Sequence, residues 1–474
     1  MNETELAFTP AWKQAEMVAK KQVSPVELTE MYLRRIERLN PKLNAYLTVC
    51  ADQACESAKQ AESAVMKGEK LGPLHGVPIS VKDIEVSRGI RSTLGSLIFE
   101  KTVPDRDTVV VERVRKTGAI ILGKTNTPEF GLSAVTENRL GPPSVNPWDT
   151  KRISGGSSGG AGAALVTGLC ALATGSDGGG SIRIPCALCG VYGIKPSQGR
   201  IPRAGGFGKA EPNQFAQSGP MSNYVKDSAI LLQALSGPDP RDPSPYMRVQ
   251  PPDFVGSLDK GVKGLKIAWN PDFNYGAVDP EVEGTVRDAV RAFEEMGCIV
   301  EEVKIDLDVA ELHPHFWRIF TANDVAALDD ILKGREGDLT DYARAAIEFG
   351  RTVTGGQYAQ SVRRVAELQL YFRDLMEPYD LLMTPTTSIP AFPFDDRPKV
   401  IAGKEVHSFY GFFPYTFPIN MVGYPAASIP CGFVSGLPVG LHIVGKMGQD
   451  ALVLQASAAF ERARPWQDRH PGTA

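Results

Sequence analysis

The chain has 474 residues, of which 42% are hydrophobic and 22% charged, and its 51 basic and 55 acidic residues give a formal net charge of −4. This composition is typical of a soluble globular protein, and it lacks the basic excess that would attract nucleic acid or an anionic membrane. Residues 1–5 do not resemble a secretory or transit signal, and no apolar run is long enough to span a bilayer. We therefore expect a cytoplasmic protein without nucleic-acid or membrane partners.

Helices and strands are predicted to alternate along the chain. The first helix begins with Ser24 as N-cap, Pro25 in the first position and Glu27 completing a capping box, and we expect it to end at Asn40-Pro41. Apolar periodicity and turn residues predict further helices at 54–66, 108–115, 161–171, 280–296 and 450–462, and strands at 77–82, 119–122, 298–300, 426–430 and 437–444. The alternation indicates an α/β fold with a largely parallel or mixed sheet. Residues 236–264, rich in Pro, Asp and Gly, form either a domain linker or a long surface connection.

One short motif resembles a nucleotide-binding loop. Residues 118–125, GAIILGKT, match the pattern G-x-x-x-x-G-K-[ST]. A phosphate loop needs a flexible turn whose amides surround the phosphates, followed directly by a helix. Here the intervening residues suit the interior of a strand, and Pro128 disfavours a helical conformation at Thr127. We interpret the motif as a buried strand that ends in a turn at Gly123-Lys124.

The cysteines and histidines do not predict a metal site. The seven cysteines are odd in number and scattered, which argues against a disulfide framework. Cys186 and Cys189 form a C-x-x-C pair, but no second pair or redox-protein setting accompanies it, so we expect buried structural thiols. His313 and His315 flank Pro314, which we expect to break any metal-binding helix there. We therefore expect neither a metal nor a cofactor.

Two glycine-rich stretches carry the stronger signal. They are SGGSSGG at residues 154–160 and GSDGGGSIR at residues 175–183. The first contains a G-x-S-x-G match centred on Ser158, the pattern of an α/β-hydrolase nucleophile elbow. Such an enzyme needs an acid and then a histidine downstream, and the main option, His442, lies in an apolar predicted strand without a suitable loop. This alternative is therefore the weaker one.

Several stretches, in this order and over nearly the whole chain, resemble the amidase signature family. They are GVPISVKD at 76–83, GKTNTPEF at 123–130, the two glycine-rich stretches, CGVYGIKP at 189–196, NMVGYP at 420–425 and GLPVG at 436–440. The resemblance implies one amidase signature domain over residues 1–474. It implies a large, mostly mixed or parallel β-sheet covered by helices on both sides, with a variable, substrate-shaping region at about residues 240–415.

The resemblance also implies a role for each residue of a Ser-Ser-Lys site. Ser181 matches the nucleophile, Ser157 the bridging serine and Lys82 the general base. The remaining matches are the oxyanion-hole amides of Gly178, Gly179, Gly180 and Ser181, the supporting residues Asp177, Arg183 and Ser158, and a cis peptide bond at Gly156–Ser157. Two departures from the family pattern are Ser154, where proline is common, and Gly178, where a bulkier residue is usual and whose small size can loosen the loop or widen the site.

The chemistry requires a neutral lysine. A lysine at its ordinary pKa of about 10.4 is charged and cannot accept a proton, whereas burial lowers that pKa. The apolar neighbours Ile79, Val81 and Ile84 predict such burial for Lys82. Ser157 can then pass a proton from Ser181 to Lys82 and later return it to the leaving nitrogen, which leaves poorly unless it is protonated.

The substrate is predicted with less detail. We expect a small-molecule amide with an apolar aryl or alkyl group, and carbamates (urethanes) or esters as further substrates. The candidate pocket residues are Phe412, Phe413, Trp317 and Phe130.

Two kinds of family member fit the motifs. The first is a free-standing amidase, which we expect to be a monomer or homodimer. The second is the glutaminase (A) subunit of a tRNA-dependent amidotransferase, which works with two partner subunits and usually carries a Ser-Leu-Asp-Gln-like stretch after the motif that ends at Pro196. Residues 205–214, GGFGKAEPNQ, do not match that stretch, so we favour the free-standing enzyme and keep the glutaminase of an amidotransferase complex as the alternative. Retention of Lys82, Ser157 and Ser181 disfavours a non-catalytic scaffold protein.

Overall fold

The computed structural model describes residues 2–206, 215–243 and 249–472. The α-helices in these residues are α1 (Glu3–Ala7), α2 (Ala11–Ala19), α3 (Pro25–Leu43), α4 (Ala51–Lys67), α5 (Val109–Lys116), α6 (Gly159–Val166), α7 (Arg183–Cys189), α8 (Val225–Leu235), α9 (Pro280–Glu295), α10 (Val309–Leu332), α11 (Asp341–Thr352), α12 (Gly355–Met376), α13 (Phe417–Val422) and α14 (Asp450–Ala463). Short 3₁₀ helices lie at Leu97–Phe99, Glu129–Gly131 and Glu336–Asp338.

The strands of the described residues are mostly short. They are β1 (Tyr46–Val49), β2 (Pro78–Lys82), β3 (Ile120–Thr125), β4 (Val145–Asn146), β5 (Asp149–Ile153), β6 (Leu172–Asp177), β7 (Tyr192–Lys195), β8 (Gln217–Ser222), β9 (Lys266–Trp269), β10 (Ile299–Glu302), β11 (Leu381–Pro385), β12 (Val400–Ile401), β13 (Lys404–Glu405), β14 (Ala426–Val434) and β15 (Leu437–Gly445). The predicted strands are all present, whereas α6 ends at Val166 instead of the predicted residue 171, and β6 was not predicted.

Eleven strands form one mixed sheet, in the order β1-β3-β2-β6-β8-β7-β14-β15-β11-β9-β10. Strand β2 runs parallel to β3 and β6, and β9 runs parallel to β10 and β11. The other neighbouring pairs are antiparallel. The mixed sheet confirms the predicted fold class.

Helices cover both faces of this sheet. Alternate residues of β9 belong to two different apolar clusters, Ile267 and Trp269 to one and Ala268 to the other, as expected when successive side chains point to opposite faces. The first cluster takes its helical residues mainly from α3, α4, α8, α9 and α14, and the second from α10, α12 and α13. The prediction of helices on both sides is therefore confirmed.

Two prolines that we expected to end helices lie inside them. Helix α3 begins with the predicted capping box, in which Ser24 Oγ accepts from Val26 N at 2.9 Å. It continues through Pro41 to Leu43, and Asn44, at φ 50°, ends it in the left-handed region. Pro314 likewise lies inside α10. A single missing N–H is tolerated in both helices because apolar residues on either side of the proline are buried in the core.

The motif at residues 118–125 does not form a phosphate loop. Gly123 and Lys124 lie within β3 rather than in a turn, because β3 continues to Thr125 and pairs with both β1 and β2. A side chain at Gly123 would bring its Cβ to 2.2 Å from the Thr48 carbonyl oxygen on β1, so close strand approach explains the glycine. The buried Lys124 Nζ lies 3.6 Å from Asp83 Oδ1 and hydrogen-bonds to Ser92 Oγ at 3.0 Å. Since the backbone is engaged in the sheet, no phosphate cradle forms here.

Other sequence expectations concern cysteines, metals and membranes. All seven cysteines are free thiols, and Cys186 and Cys189 are fully buried in or at the end of α7. Within residues 2–206, 215–243 and 249–472, no three His, Cys, Asp or Glu side chains are grouped so that they could hold a metal ion. The helices of those same residues include none with both the length and the apolar character needed to cross a bilayer.

Candidate active site

Lys82 is the last residue of β2 and is fully buried. Its Nζ donates to Ser157 Oγ at 2.7 Å and to Ser176 Oγ at 2.9 Å. Burial lowers the pKa of Lys82 from 10.5 to about 7, although the negative charges of Asp177 and Glu85 oppose that shift. A lysine with this pKa is partly neutral near neutral pH, so it can accept a proton from a hydroxyl group.

The first glycine-rich loop brings Ser157 to that amine. The loop leads into α6, and the Gly156–Ser157 peptide bond is cis. Gly156 is required by space, because a Cβ there would lie 2.6 Å from the Ala134 carbonyl carbon. The Ser158 amide donates to the Ser181 carbonyl at 3.1 Å, which joins this loop to the second one. The two loops thereby place Ser157 and Ser181 on the same cavity.

The alternative site centred on Ser158 is not assembled. Ser158 is fully buried, and its hydroxyl donates to the Ser176 carbonyl at 3.3 Å, so it binds backbone instead of facing the cavity. His442 accepts from Arg183 Nη1 at 2.9 Å and lies 3.2 Å from Thr384 Oγ1 through its other ring nitrogen. Burial and the charge of Arg183 hold the pKa of His442 well below its usual range. Since one ring nitrogen accepts from Arg183, the other lies by Thr384 and neither contacts Ser158, His442 is not placed as the base of an α/β-hydrolase triad.

A buried ion pair holds the second glycine-rich loop. Arg183 donates to Asp177 through Nε and Nη2, each at 2.9 Å, and both side chains are fully buried. Asn420, on α13, donates to Asp177 Oδ1 at 2.9 Å and accepts from Arg183 Nη2 at 2.5 Å. Burial alone would raise the pKa of Asp177, but Arg183, Lys195 and Asn420 outweigh it and the pKa is lowered. Asp177 is therefore an anion around which residues 177–183 are wrapped.

The amides of this loop do not all face the cavity. Gly180 N donates to Asp177 Oδ1 at 2.7 Å, so this amide, which we predicted to bind an oxyanion, already has an acceptor. Within the described residues, the amides of Gly178, Gly179 and Ser181 donate to no acceptor. Of the three glycines, only Gly180 has a φ in the left-handed region, at 132°. The structure thus leaves three of the four predicted amides available.

A cavity of about 380 Å³ opens over these residues and is lined by Ser157, Ser176 and Ser181. Apolar side chains form much of its wall, and they include Ile84, Leu94, Phe130, Phe320 and Leu328. The lining also includes three arginines, which are Arg106, Arg203 and Arg241. An apolar wall beside a small group of polar atoms is the usual composition of a small-molecule site.

Only one of the four predicted pocket aromatics lines this cavity. Phe130 does, and it sits at φ 54°, an uncommon conformation for a bulky residue. Phe412 and Phe413 are core residues, 1% and 4% exposed, and the Phe412 ring packs edge-on against Phe392 at 4.9 Å. Their assignment to the pocket needs correction, because the cluster at residues 409–417 packs mainly into the core.

Trp317 also lies off the cavity lining, and Phe320 takes the place we predicted for it. The two rings are stacked on the same face of α10 with centroids 6.2 Å apart. A Cβ at Gly178 would lie 2.8 Å from Phe320 Cε2. Phe320 therefore fills the space that a side chain at residue 178 would need, so the small size of Gly178 does not widen the site as we expected.

Two site residues were not singled out from the sequence. Ser176, directly before Asp177, binds the lysine amine together with Ser157. Asn420 bridges both members of the buried ion pair. The available signals were their positions inside GSDGGGSIR and NMVGYP, the stretches that carry the resemblance.

Known proteins resemble this chain over nearly its whole length. A family model described as Amidase matches residues 27–454. An acylamidase from Rhodococcus erythropolis is 36% identical over 478 residues, which cover 99% of this chain and 98% of the relative. The A subunit of glutamyl-tRNA(Gln) amidotransferase from Moorella thermoacetica is also 36% identical, over 98% of this chain and 99% of its own. Among solved structures, a bacterial aryl acylamidase of the amidase signature family superimposes with a TM-score of 0.91 at 32% identity, covering 97% of each chain.

Proposed function

Since the chain belongs to the amidase signature family and is a hydrolase of carbon–nitrogen bonds in linear amides, we propose that it is a free-standing amidase with Ser181 as its nucleophile. The observation that carries the proposal is the 2.7 Å hydrogen bond between the buried Lys82 amine and Ser157, on the cavity that Ser181 also lines. A serine hydroxyl is a weak nucleophile until a base removes its proton, and this amine is a base that reaches the cavity through Ser157.

In the first half of the reaction, Ser181 Oγ attacks the carbonyl carbon of the amide. Its proton passes to Ser157 Oγ, whose own proton passes to the neutral Lys82 Nζ. The carbonyl oxygen gains negative charge and is stabilised by the amides of Gly178, Gly179 and Ser181, which lack other acceptors in the described part of the chain. Collapse of this intermediate breaks the C–N bond, and Lys82 returns the proton through Ser157 to the leaving nitrogen.

In the second half, water hydrolyses the acyl-enzyme on Ser181. The same relay takes a proton from the water as its oxygen attacks the acyl carbon, and returns that proton to Ser181 Oγ as the ester bond to Ser181 breaks and the acid product leaves. Ser176 supports both halves because it accepts a hydrogen bond from Lys82 and so helps to keep the amine directed at Ser157. The overall change is amide plus water giving carboxylic acid plus amine.

For the substrate, we propose an amide with an aryl or alkyl group of moderate size, with carbamates (urethanes) and esters as further substrates. The apolar residues Phe130, Phe320 and Leu94 on the wall support such a group. The names of the acylamidase relative and the aryl acylamidase structure point to the same chemistry.

The glutaminase of a glutamyl-tRNA amidotransferase complex is the second candidate, because a relative of that kind is as identical to this chain as the acylamidase is. The stretch that disfavours it, residues 205–214, lies largely outside the described residues, at 207–214. That argument therefore rests on sequence alone.

The proposed function can be tested on the purified single chain. Release of amine or phenol is measured with nitroanilides, nitrophenyl carbamates, nitrophenyl esters and free glutamine, and an acyl adduct is sought by mass spectrometry. We expect nitroanilide turnover and an adduct that Ser181→Ala abolishes. Turnover of glutamine alone, weak without partner subunits, would favour the amidotransferase glutaminase.

Ser158→Ala is the matched control, because Ser158 is the competing nucleophile candidate at the centre of the G-x-S-x-G match. We expect this variant to keep a measurable acyl adduct on Ser181. An adduct that persists in Ser181→Ala and is lost in Ser158→Ala would contradict the nucleophile assignment.

A further inference from the structure

One face of helix α10 forms part of the cavity wall. Phe320, Asn323, Ala327 and Leu328 all line the cavity, at the spacing of three and four residues that places side chains on one helical face. Phe320 meets the second glycine-rich loop at Gly178. Asn323 follows one turn later, so it lies about 5 Å farther along the helix axis. A substrate group that packs on Phe320 would therefore extend towards Asn323.

Asn323 is buried with half of its amide unpartnered. Asn323 is only 6% exposed, and its Oδ1 accepts a hydrogen bond from Tyr358 Oη on α12 at 3.2 Å. Its Nδ2 has no hydrogen-bond partner in the described structure. With Oδ1 engaged by the Tyr358 hydroxyl, the two N–H donors point away from that hydroxyl. An unpartnered buried donor is unfavourable, so its retention on a cavity wall indicates a ligand that supplies the acceptor.

The surroundings of Asn323 restrict what that acceptor can be. Phe320, Ala327 and Leu328 flank it on the helix and suit an apolar group. The Asn323 amide is itself uncharged and this helical face carries no basic side chain, so an uncharged acceptor matches it better than a carboxylate. A neutral oxygen on an apolar group satisfies both conditions.

We propose that Asn323 is a substrate-recognition residue whose Nδ2 donates to a neutral oxygen acceptor carried by the aryl or alkyl group beside the scissile amide. The inference rests on the proposed amidase function and narrows its substrates. The preferred class is amides whose apolar group bears an ether, carbonyl or nitro oxygen, rather than plain hydrocarbon amides.

The test uses pairs of substrates that differ in one acceptor atom. One pair carries the change on the amine side, as the acetyl amides of 4-methoxyaniline and 4-ethylaniline. The other carries it on the acyl side, as the anilides of 4-methoxybenzoic and 4-ethylbenzoic acid. In the wild type we expect kcat/KM to favour the methoxy member of one pair by about tenfold, the effect of one buried hydrogen bond.

Substitutions at residue 323 should lower the methoxy-to-ethyl ratio of kcat/KM by different amounts. Asn323→Leu keeps the size and removes the donors, so the methoxy-to-ethyl ratio should fall to about one, mainly through KM for the methoxy member. Asn323→Asp replaces the donors by acceptors, so the ratio should fall below one. Tyr358→Phe frees the amide to rotate and should give an intermediate ratio. Melting temperatures identify variants that fail to fold, and Asn323→Ser then replaces Asn323→Leu.

Binding of the same intact amides to Ser181→Ala, measured by calorimetry, separates recognition from turnover. Equal kcat/KM for both members of both pairs in the wild type, or a ratio that Asn323→Leu leaves unchanged, would overturn the inference and leave the amidase function intact. Tighter methoxy binding that depends on Asn323, without turnover by the wild type, would support the recognition site and contradict the proposed catalysis.

Discussion

The two sides of the cavity are built in different ways. On one side, Lys82, at the end of a buried strand, donates to Ser157 of the first glycine-rich loop and to Ser176 of the second. On the other side, Phe320 and Asn323 project from a single helix, and Asn323 keeps an unpartnered donor. A side that holds its base with two hydrogen bonds is suited to a fixed reaction, whereas a side with an open side-chain donor is suited to selecting what reacts. We expect changes on the two sides to have different kinetic signatures.

The largest effects should come from the reacting side and should not depend on the substrate. Ser181→Ala and Lys82→Met should each lower kcat/KM by about 10⁴-fold or more on every amide tested, as expected when a nucleophile or its base is removed. Progress curves at high enzyme concentration measure such losses. A loss in Lys82→Met that varied strongly between substrates would place Lys82 in recognition instead of catalysis.

The pH dependence should report the same lysine. Only the neutral amine accepts a proton, and burial lowers the pKa of Lys82 to about 7, so kcat/KM should fall about tenfold per unit below that pH and level off above it. Burial also lowers the pKa of Lys195 to about 7, but within the described residues Lys195 Nζ donates to the Pro196 carbonyl at 3.0 Å and to neither Ser157 nor Ser176. Lys195→Met is therefore the matched control, and loss of the inflection in that variant would contradict the assignment to Lys82.

Stability should follow the same group with a defined sign. Between about pH 7 and 10.5 the unfolded chain holds a proton on residue 82 that the folded chain lacks, so this lysine makes the free energy of unfolding rise with pH across that window. Lys82→Met should reduce the slope by about 1.4 kcal/mol per pH unit. Urea unfolding at several pH values measures the slope.

The contact between Gly178 and Phe320, which joins the two sides, should have a smaller effect on kcat, and a second substitution should restore the rate. Gly178→Val should push the Phe320 ring away and displace the loop, lowering kcat by up to about 10²-fold, because small displacements of reacting groups have effects of this size. Phe320→Ala in the same chain should restore most of the rate by vacating the space. A double variant as slow as Gly178→Val would show that the steric contact is not the cause.

The smallest effect on turnover should come from substituting the buried aromatic residues that do not line the cavity, such as Phe412. Phe412→Ala should lower the free energy of unfolding by about 3–5 kcal/mol, the usual result of truncating a buried phenylalanine, and leave the ratio of kcat/KM between aryl and alkyl amides unchanged. Phe130→Ala, on the wall itself, is its counterpart and should shift that ratio several-fold. A shifted ratio in Phe412→Ala would return that residue to the substrate pocket.

The sequence predicted the reacting side much better than the selecting side. The motifs that carry Lys82, Ser157 and Ser181 are local, so short stretches were enough to single out residues that the fold then brings together. The fate of the Gly180 amide could not be predicted, because it depends on how the Asp177 carboxylate turns within the folded loop. Strand β6 was missed because it is buried between β2 and β8 and lacks the polar alternation of a half-exposed strand.

On the selecting side, the predicted pocket residue Trp317 lies on the helix that lines the cavity, but the lining residue is Phe320, one turn later. Trp317 and Phe320 are both aromatic and share a face of α10, and nothing local distinguishes which of them meets Gly178. Phe412 and Phe413 belong to an aromatic cluster whose composition suits a pocket as well as a core. Packing between distant segments settles both questions, and a single sequence does not record it.

The contact between Gly178 and Phe320 also constrains the order in which this site can evolve. As long as residue 320 is phenylalanine, any residue larger than glycine at position 178 collides with its ring. Most single substitutions at position 178 are therefore unfavourable. A first step at 320 to a smaller residue leaves the loop in place and opens room at 178 for the second. Descendants of this sequence that carry a bulkier residue at 178 should therefore also carry a smaller one at 320, and a library that varies both positions together should reach substrate preferences that single substitutions do not.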